Sequence, residues 1–432
     1  MATPFAACLR ADERLECAER VDPAGHAMHV AAAVAWGFAQ SVSNAAEGIT
    51  WGVLLVVSVL RIPKVWRCFA PVVRDPLWLS LLGWSLWMCA SMAWSAAPPS
   101  GLKPWFPDRW VLTPLLLWPA MGRPWVVLGA IGAGALVQVA SALRMSWTGV
   151  GLSSHMKMES ISGFGQLQWQ LHCAAVIAAS GIRCLPLAGR AFAAIGFAAS
   201  MLAVVFAGRR LTFLSSLTGS LIAWTRPSAR RRGALLVLSA VALLVMLALA
   251  TPVGTRVLAV GRVAARSTDR EQPYVALSQL SGNRLPLAHA AVAIGLRSPI
   301  AGNGKGSFQA MLPGWVEAQQ SEHPERAEEL GALRTGSLND AHNALLSAFS
   351  EGGAIATALL GAALLGLGVR LWRQSAASLT AGAALAVYSS ILLGMLCYPI
   401  TAKAPGAIIA VCLALSWSMA PVRPRPRASG TT

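Results

Sequence analysis

Residues 343–369 read NALLSAFSEGGAIATALLGAALLGLGV, an apolar stretch whose only charged side chain is Glu351. As a helix, this stretch is long enough to cross the hydrocarbon core of a bilayer, which is about 30 Å thick. A segment of this kind cannot be hidden in a soluble core and needs lipid as its solvent. We therefore predict a transmembrane helix here.

Similar apolar stretches lie on both sides of this one along the chain of 432 residues. Only 12% of the residues are charged, whereas soluble proteins carry about 25%. The pattern predicts an all-α polytopic membrane protein of about twelve transmembrane helices. The other spans are predicted at 28–46, 47–61, 77–95, 109–121, 125–145, 164–182, 187–207, 211–224, 233–251, 377–396 and 404–420.

The distribution of charge predicts how the chain is oriented. The net charge of +17 would suggest nucleic acid in a soluble protein, but here Lys and Arg cluster in short connections between spans, so no nucleic-acid binding is predicted. The positive-inside rule is best satisfied with both termini in the cytoplasm of a bacterial inner membrane. No cleavable signal peptide is recognisable, so the first span is expected to act as an uncleaved anchor.

The chain then divides at one long hydrophilic segment, residues 252–342, which this orientation places in the periplasm as a loop subdomain. It contains a predicted amphipathic helix at 285–296 and a Gly-rich turn, PIAGNGKGSF, at 299–308. Before this loop we predict a cytoplasmic N-terminal arm at 1–27 and nine transmembrane helices at 28–251. After it we predict three transmembrane helices at 343–420 and a cytoplasmic basic tail at 421–432.

Metal and disulfide chemistry have little support in the sequence. None of the eight cysteines forms a CxxC pair, which disfavours disulfides and structural zinc. No carboxylate cluster suits a divalent cation, and no GxSxG motif is present. We expect neither a metal nor a cofactor.

Two adjacent arginines, Arg209 and Arg210, follow Gly208 in a turn between spans on the predicted periplasmic side, where positive charge is usually avoided. They are either side chains that snorkel to the interface or an anion clamp. A clamp is chemically reasonable because guanidinium stays charged and its forked donors match phosphate oxygens. The local sequence leaves both interpretations open.

The sequence Asp340-Ala341-His342-Asn343 directly precedes the apolar run of the tenth span. Asp340 is a predicted helix N-cap, which would place His342 in the first turn. The positive helix N-terminus opposes protonation of the imidazole, so His342 would stay neutral and able to accept a proton. The alternative is an interfacial histidine bonded to water.

Three further residues of the loop could carry chemistry. Arg284 begins the predicted amphipathic helix and either adds a third cation to the same space or is a solvated helix-end residue. His289, on a mostly apolar helix, is interpreted as a packed histidine. Lys305 lies in GNGKGS, which does not match a Walker A sequence, so no nucleotide site is predicted there.

One motif resembles that of the O-antigen ligase family. The family pattern is a His followed by Asn, Ser or Gln, then nine residues and Gly, and it is matched by His342-Asn343-ALLSAFSEG-Gly353. A departure follows three residues later, where the family usually has Gly, Thr or Tyr and this chain has Ala356.

Two arginine elements strengthen the resemblance. The family's Arg, three residues, Leu element is matched by Arg210-LTF-Leu214, and its arginine-bearing helix before a Pro- and Gly-rich turn is matched by Arg284 through PIAGNGKGSF. With the predicted spans and the long loop before the tenth, the resemblance covers nearly the whole chain.

The resemblance implies a GT-C-like membrane glycosyltransferase. It would move a glycan from undecaprenyl diphosphate, its donor, to a sugar hydroxyl of lipid A core, its acceptor, with inversion, without metal and in contact with membrane lipids. His342 would be the general base. The diphosphate-binding residues would be Arg209, Arg210 and Arg284, with Asp340 and Asn343 in support.

Other functions stay open at this point. O-antigen polymerases and protein O-oligosaccharyltransferases share the histidine motif, although the length of 432 residues, without an extra C-terminal region, favours the ligase. A transporter or flippase of a lipid-linked anion is the alternative from another class. Such proteins usually show charges in the middle of spans and symmetry between halves, whereas in this sequence ionisable residues in the middle of spans are nearly absent and no repeat is recognisable.

Overall fold

The computed structural model describes residues 11–69, 72–147, 167–207, 210–225, 284–327, 330–331, 333, 341–395 and 403–419. This part of the chain is helical and contains no strand. Its helices are α1 (Ala11–Val21), α2 (Pro23–Val42), α3 (Asn44–Phe69), α4 (Pro76–Ser91), α5 (Pro98–Trp105), α6 (Thr113–Leu117), α7 (Pro124–Trp147), α8 (Leu167–Cys184), α9 (Leu187–Ala207), α10 (Arg210–Thr225), α11 (Arg284–Gly295), α12 (Ser307–Glu322), α13 (Ala344–Gln374), α14 (Leu379–Gly394) and α15 (Lys403–Ser418).

Several of these helices are suited to a bilayer. Within the described residues, four are long and apolar enough to cross it, and a pair of helices bent by 119° raises the number to at most five. Shorter apolar helices accompany them, at Cys173–Cys184, Phe213–Trp224, Leu379–Gly394 and Pro405–Ser418. The prediction of an all-α multi-pass membrane protein is confirmed, whereas twelve spans stay a prediction and the span at 233–251 lies outside the described residues.

The predicted continuous span at 109–121 is wrong. The chain here consists of a 3-10 turn (Phe106–Val111), the five-residue α6 and a second 3-10 turn (Trp118–Gly122). Proline is the physical reason, because Pro114 and Pro119 stand at the starts of these short elements and lack the amide proton that a longer helix would need.

Two ends of the helix bundle can be distinguished from the pairing of α4 with α13. Arg370 Nη1 lies 2.8 Å from Asp75 Oδ2, and Trp87 Nε1 donates a 2.8 Å hydrogen bond to the carbonyl of Gly352. The two helices therefore run antiparallel. We call the end with residues 22, 61, 75 and 370 the ion-pair end, and the end with residues 299–306 and 341–353 the glycine-loop end.

Asp22 organises the ion-pair end. Its carboxylate caps α2 by accepting from the Gly25 amide, and it also accepts from Arg61 Nε at 2.9 Å and from Lys64 Nζ at 3.4 Å. Burial favours the neutral carboxyl, but the hydrogen bond and charge of Arg61 and the charge of Lys64 outweigh it and hold the pKa of Asp22 below its ordinary value of 3.8. Arg61 is only 3% exposed, so this ion pair ties α2 to α3 inside the protein.

The glycine-loop end has a small hydrophobic core of its own. Helices α11 and α12 pack together over apolar side chains separate from the tryptophan-rich core of the bundle. The loop subdomain expected at 252–342 stays a prediction. The buried members of this small core are Leu287, Ala290, Ala291, Ile294, Phe308, Leu312, Trp315, Val316, Leu330, Leu333 and Ala341.

Candidate functional site

Helix α13 is broken at Gly353, the last residue of the histidine motif. Gly353 has φ 67° and ψ −163°, a conformation that is essentially restricted to glycine. A Cβ atom at this position would stand 2.3 Å from the carbonyl oxygen of Ile300. The predicted single helix 343–369 is therefore two segments, a short one at 344–352 and a long one at 354–374.

Residues 299–306, the glycine loop, occupy the break. In an unbroken helix the amide of Ala354 would bond to the carbonyl of Ser350, but here it donates to Pro299 O at 2.8 Å. The carbonyls left without helical donors accept from the loop instead: Ser350 O from the amide of Asn303 at 3.3 Å, and Glu351 O from that of Gly304 at 2.8 Å. The loop thus replaces one turn of helical hydrogen bonding.

Three glycines allow the loop to do this. Gly302, Gly304 and Gly306 all have positive φ, which glycine adopts without steric cost. Each also lies against backbone or side chains at distances that a Cβ could not occupy. The amide of Gly306 donates to Glu351 Oε1 at 2.9 Å, and that of Lys305 donates to Ser91 Oγ at 3.0 Å. The loop thus donates a hydrogen bond to a carboxylate of the protein. The absence of a nucleotide site here stays a prediction.

The candidate general base lies just before the short segment. Asn343, not Asp340, is the N-cap of α13, because its Oδ1 accepts from the amides of Leu345 at 3.0 Å and Leu346 at 3.1 Å. The prediction that His342 falls in the first helical turn is therefore wrong: it precedes the cap, half-buried, with φ 52°. Asp340 lies outside the described residues. Among those that are described, His342 is the one non-glycine residue with positive φ.

Arg284 is the first residue of α11, which packs against the short segment of α13. Gly295, at the end of α11, lies so close to Phe349 that a Cβ there would meet the ring at 2.5 Å. Asn303 joins the end of α11 to the short segment of α13, since its Nδ2 donates to Ile294 O at 2.8 Å and to Ser350 O at 3.0 Å. The helix of Arg284 and the segment of His342 thus pack directly against each other.

His289, on the same helix, is exposed, so its interpretation as a packed histidine is wrong. The residue falls on the outer face of α11, whereas the buried face consists of small and aliphatic side chains. An apolar sequence around a histidine therefore does not show which face of the helix it occupies.

The position of Arg210 follows from helix directions. Because a short turn joins α13 to α14, α14 begins at the ion-pair end, and Trp125 Nε1 at the start of α7 donates to Thr380 Oγ1 there at 3.2 Å. Helix α8 packs antiparallel to α7, so α8 ends at the ion-pair end. Arg183, near that end of α8, donates to the carbonyl of Ala223 near the end of α10 at 3.1 Å.

Helix α10 therefore ends at the ion-pair end and begins at the glycine-loop end. Its first residue is Arg210, so the backbone of Arg210 lies at the same end of the bundle as His342. The predicted partner Arg209 lies outside the described residues.

A cavity of about 290 Å³ lies at the opposite, ion-pair end. It is bordered by Leu15 of α1 and by Met419 after α15, so the two ends of the described chain lie on the same side of the bundle. The cavity is remote from the glycine loop and contributes nothing to the candidate site.

The structure identifies residues that the sequence did not single out as functional. Glu351, Asn303 and Trp87 all bond to the break or to the loop that fills it. Two signals were present in the sequence: a lone acidic residue within an apolar run, and glycines at every second position from 302 to 306. Neither signal shows which residues the loop and the break bind, because the bonded residues lie about fifty positions apart along the chain.

Comparison with known proteins adds independent information. No curated protein matches the chain. Residues 195–361 match the family model described as O-antigen ligase. The matched segment reaches from α9 through Arg210, Arg284 and the glycine loop to the break in α13. The match covers the residues that carry the histidine and arginine motifs, and over this segment the chain is similar to the O-antigen ligase family.

Proposed function

We propose that the protein is an O-antigen ligase, which transfers a glycan from undecaprenyl diphosphate to a sugar hydroxyl of lipid A core at the periplasmic face of the inner membrane. The observation that carries the proposal is the arrangement at the glycine-loop end. There the segment with the histidine motif and the helix of Arg284 pack together, and α10 begins at the same end of the bundle, all within the segment that matches the family.

The chemistry assigned to His342 is proton acceptance. The acceptor hydroxyl attacks the anomeric carbon from the face opposite the diphosphate, and its proton passes to the imidazole. His342 directly precedes Asn343, the N-cap of α13, so it lies close to the partial positive charge of the helix N-terminus. Asn343 supports this role by capping the helix, and Asp340 is proposed to do so from the preceding segment.

The arginines are assigned to the leaving group. As the bond between the anomeric carbon and the diphosphate oxygen breaks, its electron pair remains on the diphosphate. Guanidinium groups of Arg209, Arg210 and Arg284 would bind this anion and stabilise the charge that grows on it. Permanent cations can serve as the counter-charge for which many glycosyltransferases use a divalent ion, so we expect transfer to be insensitive to EDTA.

The test is complementation of a ligase-deficient strain with matched variants. We expect His342→Ala and Arg210→Ala to reduce transfer at least a hundredfold, because general bases and charge-stabilising groups each contribute about 10²–10⁴-fold. The controls, His289→Ala and Arg297→Ala, change exposed residues of the same region and should keep normal transfer. Protein level is measured for every variant.

The gel pattern of the lipopolysaccharide separates the alternatives within the family. Full-length O-antigen on lipid A core from a well-expressed His342→Ala variant would refute the general-base role. In a polymerase-deficient strain with a working ligase, extension of single repeat units on the core to long chains when the protein is supplied would identify a polymerase instead.

A further inference from the structure

The carboxylate of Glu351 accepts a hydrogen bond from the glycine loop. Backbone amides that converge form anion-binding sites, because successive N–H groups present their partial positive charge to one point. Here the Gly304 amide donates to the backbone carbonyl of Glu351, and the Gly306 amide donates to its side chain at 2.9 Å. The anion is thus supplied by the protein itself, from the helix that the loop interrupts.

The position of Glu351 in the sequence indicates that its charge has a structural or functional role. Glu351 is the only charged residue in the apolar stretch 343–369. A carboxylate in such a helix is costly unless polar groups compensate it. The compensation comes from the loop, and it joins the last turn of the short segment to the residues that fill the break at Gly353.

Direct participation in catalysis does not fit the geometry. Glu351 lies nine positions after His342, and the helical residues 344–351 rise about 12 Å. A carboxylate at that distance cannot share a proton with the imidazole, and one of its oxygens is already engaged by Gly306. Any effect of Glu351 on the candidate site must therefore act through the backbone between them.

We propose that Glu351 is a positioning residue whose carboxylate fills the anion-binding loop and thereby fixes the break, holding the short segment and His342 in place. Its catalytic consequence rests on the function proposed above, whereas its structural consequence does not. Loss of the carboxylate frees the amide of Gly306, loosens the loop, and lets the short segment move relative to the rest of α13.

The chain offers a graded set of variants. Glu351→Gln keeps an acceptor oxygen at the same place but removes its charge, and Glu351→Ala removes both. Glu322→Ala, at the exposed end of α12 in the same subdomain, is the matched control for loss of a carboxylate.

The structural test is hydrogen exchange of the full-length protein in lipid nanodiscs, read on a peptide that covers residues 299–308. We expect Glu351→Ala to accelerate exchange in this peptide at least tenfold, Glu351→Gln about threefold, and Glu322→Ala not at all. Unchanged exchange in Glu351→Ala would overturn the proposal. If that variant fails to insert, Glu351→Gln decides: wild-type exchange in it would equally overturn the proposal.

The catalytic test separates positioning from simple instability. With purified enzyme, Glu351→Ala should lower kcat at least tenfold with little change in KM for the donor or in the pH of half-maximal rate, and Glu351→Gln should restore part of kcat. Faster exchange together with wild-type kcat would overturn the positioning role. If the wild-type protein transfers no glycan, the proposed function fails, while the exchange result still decides whether Glu351 fixes the loop.

Discussion

The two ends of α13 are fixed by different kinds of bond. At the ion-pair end, charged side chains meet: Arg370 with Asp75, and nearby Arg61 with Asp22. At the glycine-loop end, amides and carbonyls of two backbone segments meet, and the main side chain among them is that of Glu351. The ion-pair end therefore depends on charged side chains, whereas the glycine-loop end depends on glycines, which have no side chain.

This difference teaches where the protein tolerates change. A buried ion pair can often be replaced by two apolar residues of similar size, because the pair gains little over hydrophobic packing. A glycine in a conformation closed to other residues has no such substitute. The end that carries the candidate site should therefore be the less adaptable one, and the predictions below test this from the largest effect to the smallest.

The largest effect is expected from Asp22→Ala. The substitution leaves Arg61, 3% exposed, without its carboxylate, and breaking a buried pair in this way costs about 3–5 kcal/mol. The free energy of unfolding is measured by denaturation in detergent with tryptophan fluorescence. Glu16→Ala, which removes an exposed pair with Arg20, should cost less than about 1 kcal/mol.

Two observations sharpen this prediction. The double variant Asp22→Ala with Arg61→Met should recover most of the loss, and a double variant as unstable as the single one would contradict the adaptability of this end.

Because the pKa of Asp22 is depressed in the folded protein, the stability that its carboxylate contributes is fully present above the ordinary pKa of 3.8 and is lost as the pH falls below that value. Asp22→Asn should therefore lose less stability than the wild type on acidification below about pH 4.

A smaller effect, but one without an easy remedy, is expected from Gly353→Ala. The strained backbone and the clash with Ile300 O should together cost at least about 2 kcal/mol. Gly361, in the same helix, has open space where a Cβ would stand, so Gly361→Ala should be neutral or stabilising by up to about 1 kcal/mol. Equal stabilities of the two variants would show that the break does not require glycine.

The smallest effect is expected from Trp87→Phe. A smaller aromatic ring replaces the indole, and the hydrogen bond from Nε1 to Gly352 O is lost, which costs about 1 kcal/mol. Trp66→Phe, at an exposed position on α3, should be close to neutral. A Trp87 variant as stable as the Trp66 variant would show that this bond adds nothing to the glycine-loop end.

The sequence predicted the fold where the information is local. The spans expected at 187–207 and 211–224 agree with α9 (Leu187–Ala207) and α10 (Arg210–Thr225), because a run of apolar residues determines burial in lipid without reference to the rest of the chain. The break at Gly353 was not predictable in this way. Its cause is a loop about fifty residues earlier in the chain, whose bonds replace those of the helix.

The same division applies to the candidate site. The motif singled out His342 and Arg284, since spacing along the chain is sufficient to recognise it. Asp340 and Asn343 are both good N-caps by type, however, and only the folded backbone shows that Asn343 has this role. Glu351 was missed for the same reason, because its partners in the glycine loop are distant in sequence.

The break in α13 also determines the length of the helical segment that follows it. The whole helix has 31 residues and would extend about 46 Å if straight, whereas residues 354–374 extend about 31 Å, close to the hydrocarbon thickness of about 30 Å. Gly353 thus divides a helix that is too long for the bilayer into one segment of crossing length and one short segment. On the function proposed above, the thickness of the host membrane would set the height of the short segment and His342 above the lipid, and bilayers of graded acyl-chain length would change the rate of transfer.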